Sequence, residues 1–260
     1  MALAALIGAA LLGSAAPAHG QDDWGAHVQH LLEAHSMQQF GVVQPLHSSS
    51  AGPYTAANNA LSVDVAKGFN VSVVSNATHS LDDMIAFWPN DENPTHLFIA
   101  VESGRNADGT NPSLQVVELN GNPDSNASTV LTGLNSTDPV RRTPWGTIIV
   151  GEERNDDGGL YEIFDPLNVG VGTPVKINNR ATGDTTDNAH VFKRQALGAL
   201  AYERIGILPD GTTYYCDERR PAHTTPGGAI YKFVPRLPVI GPTVRLATGS
   251  KQRGARSLES

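Results

Sequence analysis

After residue 60 the sequence consists of short apolar runs separated by turn-forming residues, and no long run has the 3.6-residue period of a helix. A doubly wound α/β fold needs helices between its strands, so this pattern excludes that fold and predicts an all-β protein. The runs with the length and residue types of β-strands are 70–75, 97–101, 114–119, 147–150, 160–164, 198–202, 212–216 and 229–234.

Three of these runs, together with the residues that follow them, form a weak sequence repeat. The run LFIAVE ends at Glu102, and TIIVGEE ends at Glu152 and Glu153. The run TTYYCDE ends at Asp217 and Glu218. In each case a Gly-containing loop follows and then another apolar strand. Glu153 lies 51 residues after Glu102, and Glu218 lies 65 residues after Glu153. Repeats of roughly 50 residues suit the blades of a β-propeller, in which equivalent strand ends converge on a central channel.

Another acidic residue, Glu203, follows the run 198–202 and precedes a hairpin signal, Asp210-Gly211. One acidic strand end is usually a solvated turn, whereas three at equivalent positions suit a shared site for a hard cation such as Ca²⁺. Carboxylates brought together without a cation repel one another. Both interpretations stay open. The candidate metal ligands are Glu102, Glu152, Glu153, Glu203, Asp217 and Glu218.

Several arginines flank these acids. They can be counter-charges of modest energetic value. Alternatively, one or two of them can hold an oxyanion such as phosphate, because the guanidinium fork matches its geometry. The sequence does not choose between the two roles. The residues are Arg141, Arg142, Arg154, Arg219 and Arg220.

The N-terminal residues differ in character from the rest. Residues 1–20 are apolar, short for a membrane span and end in small residues, which is typical of a secretory signal peptide, although no Lys or Arg precedes the apolar run. Residues 21–60 contain one short amphipathic helix and then a Ser/Gly/Pro-rich linker from 41 to 60. His27, His30 and His35 lie in the helix, where a solvated face is favoured over a metal pair.

Composition excludes several functions. The net charge is -8 without a basic stripe, so nucleic-acid binding is not expected. Cys216 is the only cysteine, and no intrachain disulfide can form. The sequence has no HExxH, CxxC, GxSxG or Walker motif.

The stretch RRTPWGTIIVGEE, followed by GGLYEIFDP, carries the most specific pattern in the chain. Together with LGALAYERIGILPDGTTYYCDE and GGAIYKFVP, it resembles the PhoX-type alkaline phosphatases and their bacterial relatives. The similarity covers about 85–236. It implies a six-bladed, secreted or periplasmic propeller that hydrolyses phosphate monoesters with iron and calcium.

The resemblance also implies roles for individual residues. Glu152 or Glu153, Glu203, and Asp217 or Glu218 match family acids and are expected to bind metal. Arg142 or Arg219 is expected near the phosphate. Two positions depart from the family pattern: Gly151 stands in place of a cysteine and Tyr202 in place of a frequent histidine. The loss of a thiolate ligand argues against iron, so calcium is the expected ion.

The sequence therefore predicts a secreted metal-dependent hydrolase acting on a small phosphorylated substrate, with no membrane attachment after signal cleavage. The alternative is a non-catalytic, calcium-stabilised binding module or an inactive fragment of such an enzyme. Residues 61–245 are expected to form a partial propeller of four or five blades, and 246–260 a polar tail. A closed propeller would be a monomer; in an open one, a partner chain would cover the exposed sheet edge.

Overall fold

The computed structural model describes residues 72–236 and six helical residues at positions 27, 30, 31, 34, 35 and 38. The chain divides into two compact units, Met1–Val73 and Val74–Ser260. The six helical residues belong to the first unit, are exposed, and fall where the sequence predicts the N-terminal helix. The predicted signal peptide, the linker 41–60 and the tail 246–260 lie outside the described residues. Within the described part of the chain, no helix has the length and apolarity needed to cross a membrane.

Between residues 72 and 236 the regular structure is β-strand, with two short 3₁₀ turns at Asn155–Asp157 and Gln195–Leu197. This all-β character agrees with the sequence-based prediction. In chain order the strands are β1 (Asp82–Trp88), β2 (His96–Val101), β3 (Pro112–Glu118), β4 (Ala127–Thr132), β5 (Thr137–Arg142), β6 (Ile148–Glu152), β7 (Leu160–Ile163), β8 (Val175–Asn179), β9 (Asp184–Thr185), β10 (Val191–Lys193), β11 (Tyr202–Ile207), β12 (Thr213–Asp217) and β13 (Ile230–Phe233).

The strands of this region form three sheets that follow one another along the chain. The first has the order β1-β2-β3-β4-β8-β9, the second β10-β7-β6-β5, and the third β11-β12-β13. Pairing is antiparallel except between β4 and β8, where a strand from the loop after β7 extends the first sheet. Within the described residues no sheet closes on itself, and each begins with a hairpin of two sequential strands.

Two apolar cores hold the three sheets together, and the second sheet contributes to both. One core joins the first and second sheets and includes Phe98, Leu114 and Ile148. The other joins the second and third sheets and includes Ile149, Leu160 and Tyr215. Neighbouring residues of β6 therefore point in opposite directions, as alternation along a strand requires. This is why TIIV is continuously apolar and not alternating.

Six of the eight predicted strands are confirmed within a residue or two, and the other two are not strands in the described residues. The run 198–202 is not a strand: a 3₁₀ turn ends at Leu197, Gly198 has a positive φ of 91°, and β11 begins only at Tyr202. The described residues of the run 70–75 are not in a strand either. The first strands of the three hairpins, β1, β5 and β11, contact one another in that order, β1 with β5 and β5 with β11.

Candidate metal centre

The three hairpins β1-β2, β5-β6 and β11-β12 share one register. Each begins with a pair of opposed residues: Asp82 with Val101, Thr137 with Glu152, and Tyr202 with Asp217. In all three the register shifts directly after this pair, and regular pairing resumes three residues later on the first strand. Such bulges bend a strand and redirect its side chains, and they are common beside functional sites.

A matching backbone hydrogen bond precedes each hairpin. The N–H of Glu102 donates to the carbonyl of Leu81 at 2.8 Å, and the N–H of Glu153 donates to Ser136 at 2.7 Å. The N–H of Glu218 donates to Ala201 at 2.9 Å. The weak repeat in the sequence is therefore a threefold repeat of backbone structure, which fixes where the acidic side chains lie.

Two acidic positions recur in this repeat, and they bring six side chains together as the carboxylate cluster. One position is the second residue of the first strand, inside the bulge. The other position is the residue directly after the second strand. Its backbone N–H donates to the carbonyl of the residue just before the first strand. The cluster consists of Asp83, Asp138 and Glu203 from the first position and Glu102, Glu153 and Glu218 from the second.

Asp138 is the buried member of the carboxylate cluster. Its side chain and backbone together are 3% exposed, and its Oδ1 atom has no hydrogen-bond donor among the described residues. The carboxyl groups of Asp83 and Glu203 lie in hydrogen-bonding contact with it. Burial, followed by the neighbouring carboxyls of Glu203 and Asp83, raises the pKa of Asp138 to about 9.

Glu153 and Glu218 form the second contact in the cluster. Burial raises the pKa of Glu153 to about 7, with added repulsion from Glu218, Glu102 and Glu203. The pKa of Glu218 is lowered, first by the guanidinium of Arg220 and then by the carboxyl of Glu153. Of the two carboxyls, Glu153 therefore binds a proton more tightly than Glu218.

Two of the sequence-predicted ligands, Glu152 and Asp217, have carboxylates that already accept hydrogen bonds from backbone N–H groups. Glu152 is fully buried and accepts hydrogen bonds from the backbone N–H groups of Asn135 (2.8 Å) and Gly159 (3.0 Å). It also pairs with Arg180, whose Nε lies 2.5 Å from Oε1. Asp217 Oδ1 accepts from the N–H groups of Ala201 and Arg219, both at 3.2 Å. Glu152 and Asp217 hold loops, whereas the acid that follows each of them joins the cluster.

The arginines divide between the cluster and other parts of the molecule. Arg142 lies at the opposite end of β5 from Asp138 and donates to the carbonyl of Phe87 (3.2 Å) and to Asp91 (3.2 Å). The structure therefore places Arg142 away from the site. Arg219 is half-exposed and donates to Asp156 at 3.1 Å. Arg220, which the sequence-based assignment left without a specific role, donates to Glu218 at 2.8 Å.

The two positions that depart from the family pattern face packed apolar residues. A Cβ added to Gly151 would lie 2.7 Å from Leu160 and 2.8 Å from Pro139, so a cysteine there would force these side chains to move. Tyr202 is fully buried, and its hydroxyl donates to the carbonyls of Leu197 and Gly198 at 2.9 Å. Neither position presents a group to the carboxylate cluster.

Sequence reasoning missed Asp83 and Asp138, because both lie in strands that it did not recognise. β1 opens with two aspartates, and β5 contains Pro139 and two arginines, so neither reads as an apolar run. A signal was present nonetheless: in all three hairpins an acid follows the residue that opens the first strand.

Within residues 72–236, no three His, Cys, Asp or Glu side chains already converge as a formed metal site. Side-chain contacts link Asp83, Asp138, Glu203, Glu218 and Glu153 in a chain, and Glu102 interacts with Glu153 electrostatically. Comparison with protein-family models, curated proteins and solved structures finds no match to the chain, so the PhoX resemblance stays a prediction from the motifs.

Proposed function

We propose that this protein is a secreted, calcium-dependent hydrolase of phosphate monoesters, built as a β-propeller, with the carboxylate cluster as its cation site. The observation that carries the proposal is the threefold repeat: three hairpins with one register deliver six carboxylates from equivalent positions. Repeated solvated turns would not need a shared bulge, nor would they place their acids in contact with one another.

The propeller part of the proposal rests on the order of the sheets. Three sheets, antiparallel apart from the β4–β8 pairing, pack against one another through two cores, and their first strands β1, β5 and β11 are neighbours. Blades of a propeller have this relation, with the first strand of each blade lining the central channel. The first sheet departs from a simple blade because β8 and β9 are added to it from the second repeat.

The cation part rests on Asp138 and its neighbours. A buried carboxylate oxygen without a donor, in contact with two other carboxyls, is costly unless it is protonated or bound to a metal. An all-oxygen donor set suits a hard cation such as Ca²⁺. Iron is less suited, because neither Cys216 nor a histidine of the described residues contributes to the cluster, and Gly151 leaves no room for a thiolate.

A bound calcium would neutralise phosphate charge and lower the pKa of a coordinated water. The chain's own residues would then position the substrate. Arg220 and Arg219 follow directly after Glu218, so a phosphate beside the cluster can be reached by a guanidinium fork. Arg219 thus stays a candidate for phosphate binding, whereas Arg142 does not.

A phosphatase assay combined with metal analysis tests this proposal. The full chain, purified without chelator, is expected to contain calcium and to hydrolyse p-nitrophenyl phosphate, and Asp138→Asn or Glu203→Gln should lower both metal content and rate. The matched control is Glu118→Gln, an exposed acid outside the cluster. If the cluster variants keep both the calcium and the rate of the wild type, the proposal is wrong.

The second candidate is a non-catalytic, calcium-stabilised binding module. It is favoured by two observations: Arg142 is held away from the cluster, and Gly151 cannot be replaced by cysteine without repacking. Calcium in the purified protein without turnover of phosphate esters would support this candidate over the hydrolase.

A further inference from the structure

Arg220 already supplies a positive charge to the carboxylate cluster. Its Nη2 atom donates to Glu218 Oε1 at 2.8 Å, and its Nε atom donates to the same oxygen at 3.3 Å. Contact with Glu218, followed by the charge of Glu153 and then that of Glu203, raises the pKa of Arg220. The guanidinium therefore interacts with three members of the cluster and binds a carboxylate that a metal ion would need.

The contact that holds Arg220 is a loose one. The Arg220 side chain is 83% exposed, and both of its hydrogen bonds go to Glu218, two residues earlier in the chain. Exposed ion pairs of this kind contribute little to stability. Arg219 is held differently, because it pairs with Asp156 from the segment between β6 and β7. Arg220 can thus leave Glu218 without breaking a contact between distant parts of the fold.

A cation in the cluster and the guanidinium of Arg220 compete for the same carboxylate. The buried Oδ1 atom of Asp138 has no donor, and side-chain contacts through Glu203 connect Asp138 to Glu218. A divalent ion bound between these carboxyls would lie close to the guanidinium, and the like charges would repel one another. Arg220 is the more weakly held of the two, so it is the group that moves.

We propose that Arg220 is an internal counter-ion of the cation site, which leaves Glu218 when calcium binds and then holds the oxyanion of the substrate. The inference rests on the proposed cation site and on a phosphate ester as substrate. The guanidinium fork matches a carboxylate and a phosphate equally well, so one side chain can exchange the first for the second.

This exchange couples the two binding events. Without calcium, the fork of Arg220 is engaged by Glu218 and the six carboxylates repel an anion. With calcium bound, the fork is released beside a site that now favours negative charge. Calcium therefore strengthens the binding of the oxyanion, and by linkage the oxyanion strengthens the binding of calcium by the same factor.

Calcium titration of the chelator-treated full chain at pH 7.5, with and without phenylphosphonate, tests the inference. Phenylphosphonate resembles a phosphate ester but is not hydrolysed, and a calcium electrode corrects for the ion that it binds in solution. In the wild type it should strengthen calcium binding about fivefold or more. Arg220→Ala should bind calcium about threefold more tightly without the anion, because the competitor is gone, and should show little further gain with it.

Two further variants serve as controls. Arg204→Ala removes an exposed arginine directly after Glu203, and none of the described carboxylates pairs with it. This variant should behave as the wild type does in both titrations. Arg220→Lys keeps the charge but not the fork, so it should retain the wild-type affinity for calcium and lose most of the phenylphosphonate effect. Circular dichroism establishes that each variant is folded.

The outcomes separate this inference from the proposed function. If the wild type binds calcium but Arg220→Ala does not bind it more tightly, or keeps the full phenylphosphonate effect, the inference is wrong and the cation site stands. An equal gain in Arg204→Ala would also overturn it, because net charge would then explain the result. If the wild type binds no calcium, the cation site and the inference both fail.

Discussion

At the residue scale, Asp138 and Glu153 bind protons more tightly in the folded chain than in the unfolded chain. Their pKa values, about 9 and about 7, lie above the value of about 4 for an exposed carboxyl. The folded state therefore binds more protons than the unfolded state between these limits. Stability from these groups is complete below pH of about 4 and is lost as the pH rises through the folded-state values.

The first prediction concerns this pH dependence in chelator-treated protein. The free energy of unfolding, measured with urea at pH 5, 7 and 9, should fall as the pH rises. In Asp138→Asn the fall between pH 7 and 9 should be smaller, because the variant cannot ionise at this position. A wild-type protein that gained stability from pH 5 to 9 would show that the carboxyls are not held together in the folded state.

The second prediction separates two adjacent glutamates. Glu152 pairs with Arg180, which is 16% exposed, and binds two backbone N–H groups. Glu152→Gln should therefore lower the free energy of unfolding by about 3 kcal/mol, since it removes the buried charge that pairs with a largely buried guanidinium, which keeps its contact with the exposed Asp157. Calcium affinity should change less than threefold.

Glu153→Gln is the matched control and should give the opposite result. Its removal relieves repulsion in the cluster, so the chelated protein should be as stable as the wild type or more stable, while calcium binding weakens. Urea unfolding and calcium titration of both variants distinguish the roles. If the two substitutions had the same pair of effects, the assignment of separate roles would be wrong.

At the element scale, a glycine marks the start of the return strand in the second and third sheets. A Cβ added to Gly158 would lie 2.0 Å from the carbonyl oxygen of Leu200, and one added to Gly228 would lie 2.0 Å from that of Asp217. Both contacts are with backbone, which cannot turn aside as a side chain can. The carbonyl of Gly158 also accepts from the N–H of Leu200 at 3.2 Å, so this contact joins the second sheet to the loop before the third.

The third prediction follows from this close approach. Gly158→Ala should lower the free energy of unfolding by about 3 kcal/mol or more, because the backbone on both sides must move to admit one methyl group. Gly104→Ala, where the added Cβ meets nothing within 4 Å, should change it by less than about 0.5 kcal/mol. Thermal and urea unfolding measure both, and equal effects would contradict the packing described here.

The strands that the sequence predicts contain apolar runs, and in β6 and β7 these side chains enter both cores. Three of the strands that it misses, β1, β5 and β11, carry charges of the site. β5 illustrates this: Pro139 has no N–H to donate and lies in the bulge, where a ladder hydrogen bond is not needed. The bulge and the carboxylate cluster determine which residues β5 contains, and hydrophobic periodicity alone predicts neither of them.

The acidic repeat could be read from the sequence because each acid follows an apolar run. Its division into roles could not, because Glu152 and Glu153 are equivalent in sequence pattern. Alternation along the strand sends one carboxylate to backbone N–H groups and Arg180, and the other towards Glu218. Arg142 was assigned from its place in the motif, but it lies four residues after Asp138, at the other end of the six-residue strand β5, and is therefore away from the cluster.

At the scale of the whole molecule, the three sheets act as a frame that brings the carboxylates together. The two apolar cores fix the second sheet between its neighbours, and the common register sets the height of each acid along its strand. The fold therefore holds the carboxylates close enough to repel one another. Packing in the two cores must offset this repulsion when no cation is present. Burial and contact raise the pKa of two of these groups as a direct consequence.

Calcium titration calorimetry of the chelator-treated full chain, at pH 7.5 in two buffers of different ionisation enthalpy, tests the cation site most directly. We predict binding accompanied by release of at least one proton, because Asp138 is protonated at this pH and must ionise to bind calcium. Asp138→Asn should weaken binding at least tenfold and reduce the proton release, whereas Glu118→Gln should change neither. Absence of calcium binding, or binding that Asp138→Asn leaves unchanged, would contradict the assignment of the carboxylate cluster as a cation site.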